Sequence, residues 1–260
     1  MRVAAWQAPL LPAGSMEALG LLRARIEQCE AEGVAILCSP EAVLGGLADY
    51  AADPARFAVP ARRLDAVLAP LASDSVTTLV GFTELGEGGG LYNAAAVFHR
   101  GAVAGVYRKL HPAIHRSVYR PGRAVPVFRV DGLTFGIVIC NDSNHAGPAR
   151  RMAAQGAAAL FVPTSNGLPP SRAYPGLVDE ARRADVARAV ENGVWVVRAD
   201  VAGSNGELVS HGSSGIVDPD GNAVRSACRL GEDLLIAEIR TAAPVAAAVD
   251  GAHPSPVSRR

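Results

Sequence analysis

The chain reads as an α/β fold of stacked layers in a single domain, with two β-sheets face to face and helices outside. Three observations predict it. Short apolar, β-branched runs occur in both halves of the chain, each is separated from the next by a helical segment or a tight turn, and no internal repeat or domain linker interrupts them. With 260 residues, 49% hydrophobic and 19% charged, the chain is long enough to bury one large core.

Met1 to Trp6 reads as the first strand and Ser15 to Glu32 as a helix, followed by a strand at Val34 to Leu37 and a helix around Pro60 to Ser73. Strands follow at Val76 to Phe82, Tyr92 to Phe98 and Gly101 to Tyr107, with a hairpin turn at His99-Arg100-Gly101 where glycine supplies positive φ. After a two-proline loop, Pro112 to Gly122, come a strand at Val127 to Val130, an Asp131-Gly132 turn, and an apolar strand running up to Cys140. Pro148 suits the first turn of a helix reaching Gln155, and Ala157 to Pro163 is another buried strand. A long helix, Leu177 to Asn192, precedes a strand at Val194 to Ala199, and His211 to Asp218 and Leu234 to Ile239 are the last strands. Residues 1–243 form the expected domain; 244–260, rich in Pro, Ser and Arg, read as a C-terminal extension or flexible tail.

Lysine plus arginine (25) balance aspartate plus glutamate (25), so no net field draws the protein to nucleic acid or to an anionic membrane, and a small-molecule partner is expected. No apolar run approaches the ~20 residues that span a bilayer. The N-terminal MRVAAWQAPL lacks the basic region and long apolar stretch of a signal peptide, so a cytoplasmic location is expected. Cys29, Cys38, Cys140 and Cys228 are scattered without metal-ligand spacing and read as reduced thiols, with no metal site.

The most informative stretch is LTFGIVICND, Leu133 to Asp142, which delivers the Cys140 thiol where a buried strand gives way to irregular backbone. A lone strand-end cysteine is more often a small buried hydrophobe than a nucleophile, so partners are needed. Two other strand ends offer them. Glu41 follows VAILCSP, and Lys109 follows GAVAGVYR. Each alone reads as an ordinary surface charge; together they place a carboxylate, an ammonium and a thiol at strand termini that can meet on one rim of a sandwich.

SPEAVLGG, YRKLHP and GIVICND, in that order, resemble the three signature segments of the nitrilase superfamily of carbon-nitrogen hydrolases. The resemblance extends over nearly the whole chain through VAAWQAP, GFTE, YNAAAVF, the RPG of Arg120 to Gly122, LFVPTSN, ARAVENGVWVV and SSGIVDPDGN. It implies a four-layer αββα sandwich and a Glu-Lys-Cys site: Glu41 the general base, Cys140 the nucleophile, Lys109 the cation supporting charged intermediates, and the Asn141 backbone N–H part of an oxyanion hole. It implies hydrolysis of a small amide, N-carbamoyl compound or nitrile without a cofactor, and a homodimer or higher homo-oligomer through the Ala- and Arg-rich segments Asn144 to Gln155 and Asp179 to Asn192. An acyltransferase, or a non-catalytic member binding a metabolite or protein, are the alternatives.

The chain departs from the family pattern in the loop HPAIHRSVYRPG, His111 to Gly122. It contains no carboxylate, and His115 or Arg116 stands where many members carry a second glutamate. A basic loop at the pocket favours a carboxylate-bearing substrate. The preferred reading is that Arg116 and Arg120 are solvated or paired with acids of a neighbouring subunit, as surface arginines commonly are. Asn166, Arg172 and Tyr174, in PTSNGLPPSRAYPG, are candidates for the opposite wall.

Overall fold

The computed structural model describes residues 1–240; the expected domain boundary at 243 and the tail 244–260 lie outside them. The chain builds most of one sheet first: β1 (Arg2–Pro9), β2 (Ile36–Cys38), β3 (Val59–Pro60), β4 (Thr77–Leu85), β5 (Leu91–His99) and β6 (Ala102–Arg108). It then crosses to a second sheet with β7 (Val127–Val130), β8 (Leu133–Ile137), β9 (Ala159–Pro163) and β10 (Trp195–Ala199). β11 (Val201–Ser204) and β12 (Val209–His211) return to the first sheet, β13 (Gly215–Val217) and β14 (Ala223–Ser226) extend the second, and β15 (Asp233–Glu238) closes against β1. The first sheet runs β12-β11-β1-β2-β4-β5-β6, with β15 on β1 and β3 on β4; the second runs β14-β13-β10-β9-β8-β7.

Both faces of the first sheet are covered, and the two-residue period of its strands shows how. β1 sends Val3 and Ala5 into the core shared with the second sheet, while Ala4 and Trp6 pack beneath α1 (Ala18–Ala31) and α2 (Leu64–Leu68). β5 does the same, with Ala95 and Val97 on one side and Ala94, Ala96 and Phe98 on the other. On the far side of the second sheet, α3 (Ala146–Ala154) contributes Ala149 and Met152 and α4 (Gly176–Asn192) contributes Ala189. The layers are therefore helix, sheet, sheet, helix, the αββα sandwich that the resemblance implies.

Three expected elements differ. The helix around Pro60 to Ser73 is three short helical turns, Ala61–Arg63, Leu64–Leu68 and Ala69–Leu71, because Pro70 has no N–H to continue an α-helical ladder. The strand expected over His211 to Asp218 breaks at Gly212, which has φ 75°, and its two halves belong to different sheets. The strand leading to Cys140 stops at Ile137, and Cys140 opens a 3-10 turn, Cys140–Asn144.

Strand direction sets the position of the site. β2 and β4 pair parallel, while β5 is antiparallel to both β4 and β6, so the C-terminal ends of β2 and β6 fall on the same rim where β5 begins. The chain leaving β2 bends over β4 through bonds from Ser39 N–H to Leu79 O and from Leu44 N–H to Gly81 O. A Cβ on Gly81 would meet the Pro40 carbonyl oxygen and the Ala42 nitrogen, backbone atoms on either side of Glu41. Only glycine lets this loop lie so close to the sheet. Gly81→Ala is expected to lower stability by about 1–3 kcal/mol through overpacking against unyielding backbone; urea unfolding checks it, and an unchanged midpoint would show that the loop can move.

Candidate active site

Glu41, Lys109 and Cys140 converge on one cavity of about 110 Å³, walled also by Asn93, Tyr50, Tyr119, Ser165 and Asn166. Glu41 Oε1 accepts hydrogen bonds from Lys109 Nζ at 2.6 Å and from Asn93 Nδ2 at 2.7 Å, and its Oε2 accepts from the Ser165 N–H at 2.9 Å. The Glu41 N–H donates to the Thr164 carbonyl, so the residue is tied to the end of β9 in the opposite sheet by both backbone and side chain. Glu41 and Lys109 are only 3% and 4% exposed. At that depth each ion needs the other, because an unpaired buried charge costs several kcal/mol.

Cys140 is held in a left-handed backbone conformation, φ 45°, which a residue with a Cβ adopts only when its surroundings enforce it. Much of that enforcement comes from Asp142, which is fully buried. Its carboxylate accepts from the Tyr107 hydroxyl at 2.8 Å, the His111 N–H at 2.8 Å, His111 Nδ1 at 2.9 Å, and the Leu110 and Ile139 N–H groups at 3.2 Å. These donors flank Lys109 on one side and Cys140 on the other. Ser143 closes the same turn, its hydroxyl donating to the Cys140 carbonyl at 2.8 Å. Arg198 braces it from below, bonding Ser143 Oγ, Thr164 Oγ1 and, bidentately, Asp185 of α4.

Burial pushes the Cys140 thiol up to about 12, and the Glu41 charge adds to the rise, while Lys109 and Arg198 oppose it. Burial also works against the Lys109 charge, but Glu41 outweighs it and holds the ammonium above its usual range. A neighbouring cation alone leads one to expect a stabilised thiolate. Here desolvation and Glu41 prevail, so the resting site is an ion pair beside a neutral thiol.

The loop His111 to Gly122 is stitched to its own base by Gly122 N–H to the Lys109 carbonyl at 2.7 Å, and a Cβ on Gly122 would strike the Arg108 carbonyl. His115 and Arg116, read as candidates for this pocket, are both exposed and outside the cavity lining, because the loop turns them outward at Arg116, φ 61°. Arg120 is exposed as well. Of the opposite-wall candidates, Asn166 lines the cavity, its Nδ2 donating to Asp200 and Ser213. Arg172 and Tyr174 do not line it; Tyr174 instead donates to Glu180 at 2.6 Å on the surface. Sequence reasoning missed Asn93, whose signal was its place in YNAAAVF at the start of a strand, and Asp49, which carries no motif signal.

A thiol, a buried carboxylate and an ammonium thus meet on the rim of an αββα sandwich. The chain matches the carbon-nitrogen hydrolase family model over residues 2–247 and belongs to that family. It is 32% identical to a Pseudomonas protegens protein named "Hydrolase in pqqF 5'region", over 91% of this chain and 81% of that one. It is 30% identical to a nitrilase of Pyrococcus abyssi over 70% of this chain and 66% of that one. The structure superposes on the NitN amidase of Nesterenkonia sp. AN1 with a TM-score of 0.77 and 25% identity, covering 92% of this chain and 93% of that one. Among the described residues no helix is long and apolar enough to cross a membrane, and no group of three His, Cys, Asp or Glu side chains is arranged to hold a metal ion.

The raised thiol value has a measurable consequence. The thiolate fraction of Cys140 grows about tenfold per pH unit as long as pH stays below its pKa, so its alkylation by iodoacetamide is expected to keep rising through about pH 10. Peptide mass mapping separates Cys140 from the exposed Cys228. A rate plateau near pH 8 would mean that Lys109 stabilises a resting thiolate after all.

Proposed function

We propose that the protein hydrolyses a non-peptide carbon–nitrogen bond of a small amide, N-carbamoyl compound or nitrile through a covalent intermediate on Cys140. The observation that carries this reading is the buried Glu41–Lys109 pair in the same cavity as a neutral, positive-φ cysteine. A neutral thiol must lose its proton as it attacks. Glu41, anchored through both oxygens, is the base placed to take it. As sulfur bonds to the substrate carbon, negative charge moves to the carbonyl oxygen, where Lys109 Nζ and the Asn141 backbone N–H stabilise it.

Collapse of this intermediate breaks the carbon–nitrogen bond, and Glu41 returns the proton to the departing amine or ammonia, leaving a thioester. Glu41 then takes a proton from water, water adds to the thioester carbon, and the second collapse releases the acid and restores the thiol. A nitrile first gives a thioimidate with no leaving group; one water adds to it and expels ammonia to reach the thioester, and a second water releases the acid. No cofactor is needed at any step. Support for a reactive cysteine comes from the related Nesterenkonia amidase, a glutamate-to-glutamine mutant of which shows Michael addition of acrylamide at its active-site cysteine.

Ammonia release from a panel of small amides, N-carbamoyl acids and nitriles, with intact mass to detect a Cys140 adduct, tests the scheme. Cys140→Ala is expected to abolish turnover, and Glu41→Gln to slow it by about 10²–10⁴-fold. Undiminished turnover in Cys140→Ala would sink the mechanism.

A homodimer belongs to the same proposal. The outer face of α4 carries a shallow groove lined by Val186 and Val190 between Arg182, Arg183 and Glu191, with Val190 55% exposed. An exposed apolar strip rimmed by charge suits the pairing of two copies. Light scattering is expected to give twice the chain mass; a monomer at micromolar concentration contradicts it.

A further inference from the structure

The wall facing the catalytic pair contains a charge that the proposed chemistry does not use. Asp49 lies in the 3-10 turn Ala48–Tyr50 and lines the same cavity as Glu41, Lys109 and Cys140. It meets the loop that lacks a carboxylate of its own: Ser117 Oγ donates to Asp49 Oδ2 at 3.0 Å and the Val118 N–H to Oδ1 at 2.8 Å. The loop that turns His115 and Arg116 out to solvent is thus docked on an acid supplied by a different segment.

Charge balance gives this acid its significance. Among the residues lining the cavity the ionisable acids and bases are Glu41, Asp49 and Lys109, and Glu41 and Lys109 offset each other at 2.6 Å. The Cys140 thiol is neutral at rest. One negative charge remains, on Asp49. Burial first, with Asp49 and Glu41 adding to it, holds the hydroxyls of Tyr50 and Tyr119 above their ordinary range. Arg172 acts on Tyr50 in the opposite sense and ahead of Asp49, from an exposed side chain whose field salt screens. Behind the wall, Arg198 is committed to Asp185.

Each Asp49 oxygen accepts one bond from the loop, and a carboxylate has about four acceptor sites, so capacity is left for a ligand. The lining shared by Asp49 and the reacting groups also includes Leu47, Ile114 and Leu168. Such a surface suits a short methylene chain.

Resting on the hydrolase reading, we infer that Asp49 selects substrates whose far end carries an ammonium or N–H donors, and disfavours those ending in a carboxylate. The substrate class is a short aliphatic amide or carbamoyl compound with a cationic or strongly hydrogen-bond-donating tail. Asp49 is a specificity residue and takes no part in bond making.

Alkylation of Cys140 by three chloroacetamides of matched length reads this selectivity without requiring turnover: N-(2-aminoethyl), N-propyl and N-(2-carboxyethyl). In the wild-type protein the order of rates is expected to be cationic, neutral, anionic, with steps of roughly tenfold, as for a unit charge at close range in a partly screened pocket. Asp49→Asn, whose Oδ1 still accepts from the Val118 N–H while its Nδ2 meets Ser117 Oγ as an acceptor, is expected to collapse the cationic-to-neutral ratio to near one. Asp53→Asn, which removes an exposed charge outside the cavity, is the control expected to leave the ratios unchanged. A wild-type preference for the anionic reagent, or an unchanged ratio in Asp49→Asn, overturns the inference. Turnover of an ω-amino amide against its ω-carboxy counterpart is measured in parallel. The labelling order without turnover of any amide would keep the role of Asp49 and overturn the hydrolase reading instead.

Discussion

The site depends most on the Asp142 carboxylate. It is fully buried and holds, through five groups on three segments, the exit of β6, the first residue of the long loop and the turn that carries Cys140. A carboxylate that accepts several short N–H and O–H bonds is stable in a low-dielectric interior, and the bonds reinforce one another. Because its donors straddle Lys109 and its own backbone lies two residues from Cys140, one side chain fixes the distance between ammonium and thiol. The Asn141 Nδ2 bond to the His111 carbonyl and the Glu41 bonds to Thr164 and Ser165 add to that tie between the sheets.

The Glu41–Lys109 pair illustrates a second constraint, the cost of charge in the interior. Two ions taken from water repay their desolvation only when their geometry is good and their remaining valences are filled. Asn93 and the Ser165 N–H complete that geometry for Glu41. Removing either ion strands the other, so the arrangement persists as a unit. The same logic explains the resting thiol. With a carboxylate already paired beside it, a second anion in the pocket is disfavoured.

Rigidity is distributed through elements that never touch the cavity. Arg198 on β10 links Asp185 of α4, Thr164 at the end of β9 and Ser143 in the turn that carries Cys140, so the outer helix layer and the second sheet position that turn together. Gly81 and Gly122 act by absence, allowing backbone to approach where any side chain would push the Glu41 loop or the Lys109 loop away. These contacts make the rim stiff, while exposed residues such as His115 and Arg116 vary its outer edge.

Periodicity and β-branching were enough to read the order of the main elements, because each buries a face whose spacing is local: β1, β4, β5, β8, β9 and α4 all lie close to where their residues predict. The three ordered segments around Glu41, Lys109 and Cys140 were readable for the same reason, each ending an apolar run. The short strands β11, β12 and β14 were not, since three or four residues carry too little pattern and exist by pairing with distant chain. Nor was the role of the long loop. Its arginines were read as solvated, and Arg116 and Arg120 are exposed, but the docking of the loop on Asp49, 68 positions from Ser117, was not readable. The raised thiol, the turn imposed on Cys140 and the sign of the pocket all follow from burial and long-range contacts, which local sequence does not encode. Residue types and their order thus supply the chemistry, and packing of two sheets decides how the charges balance.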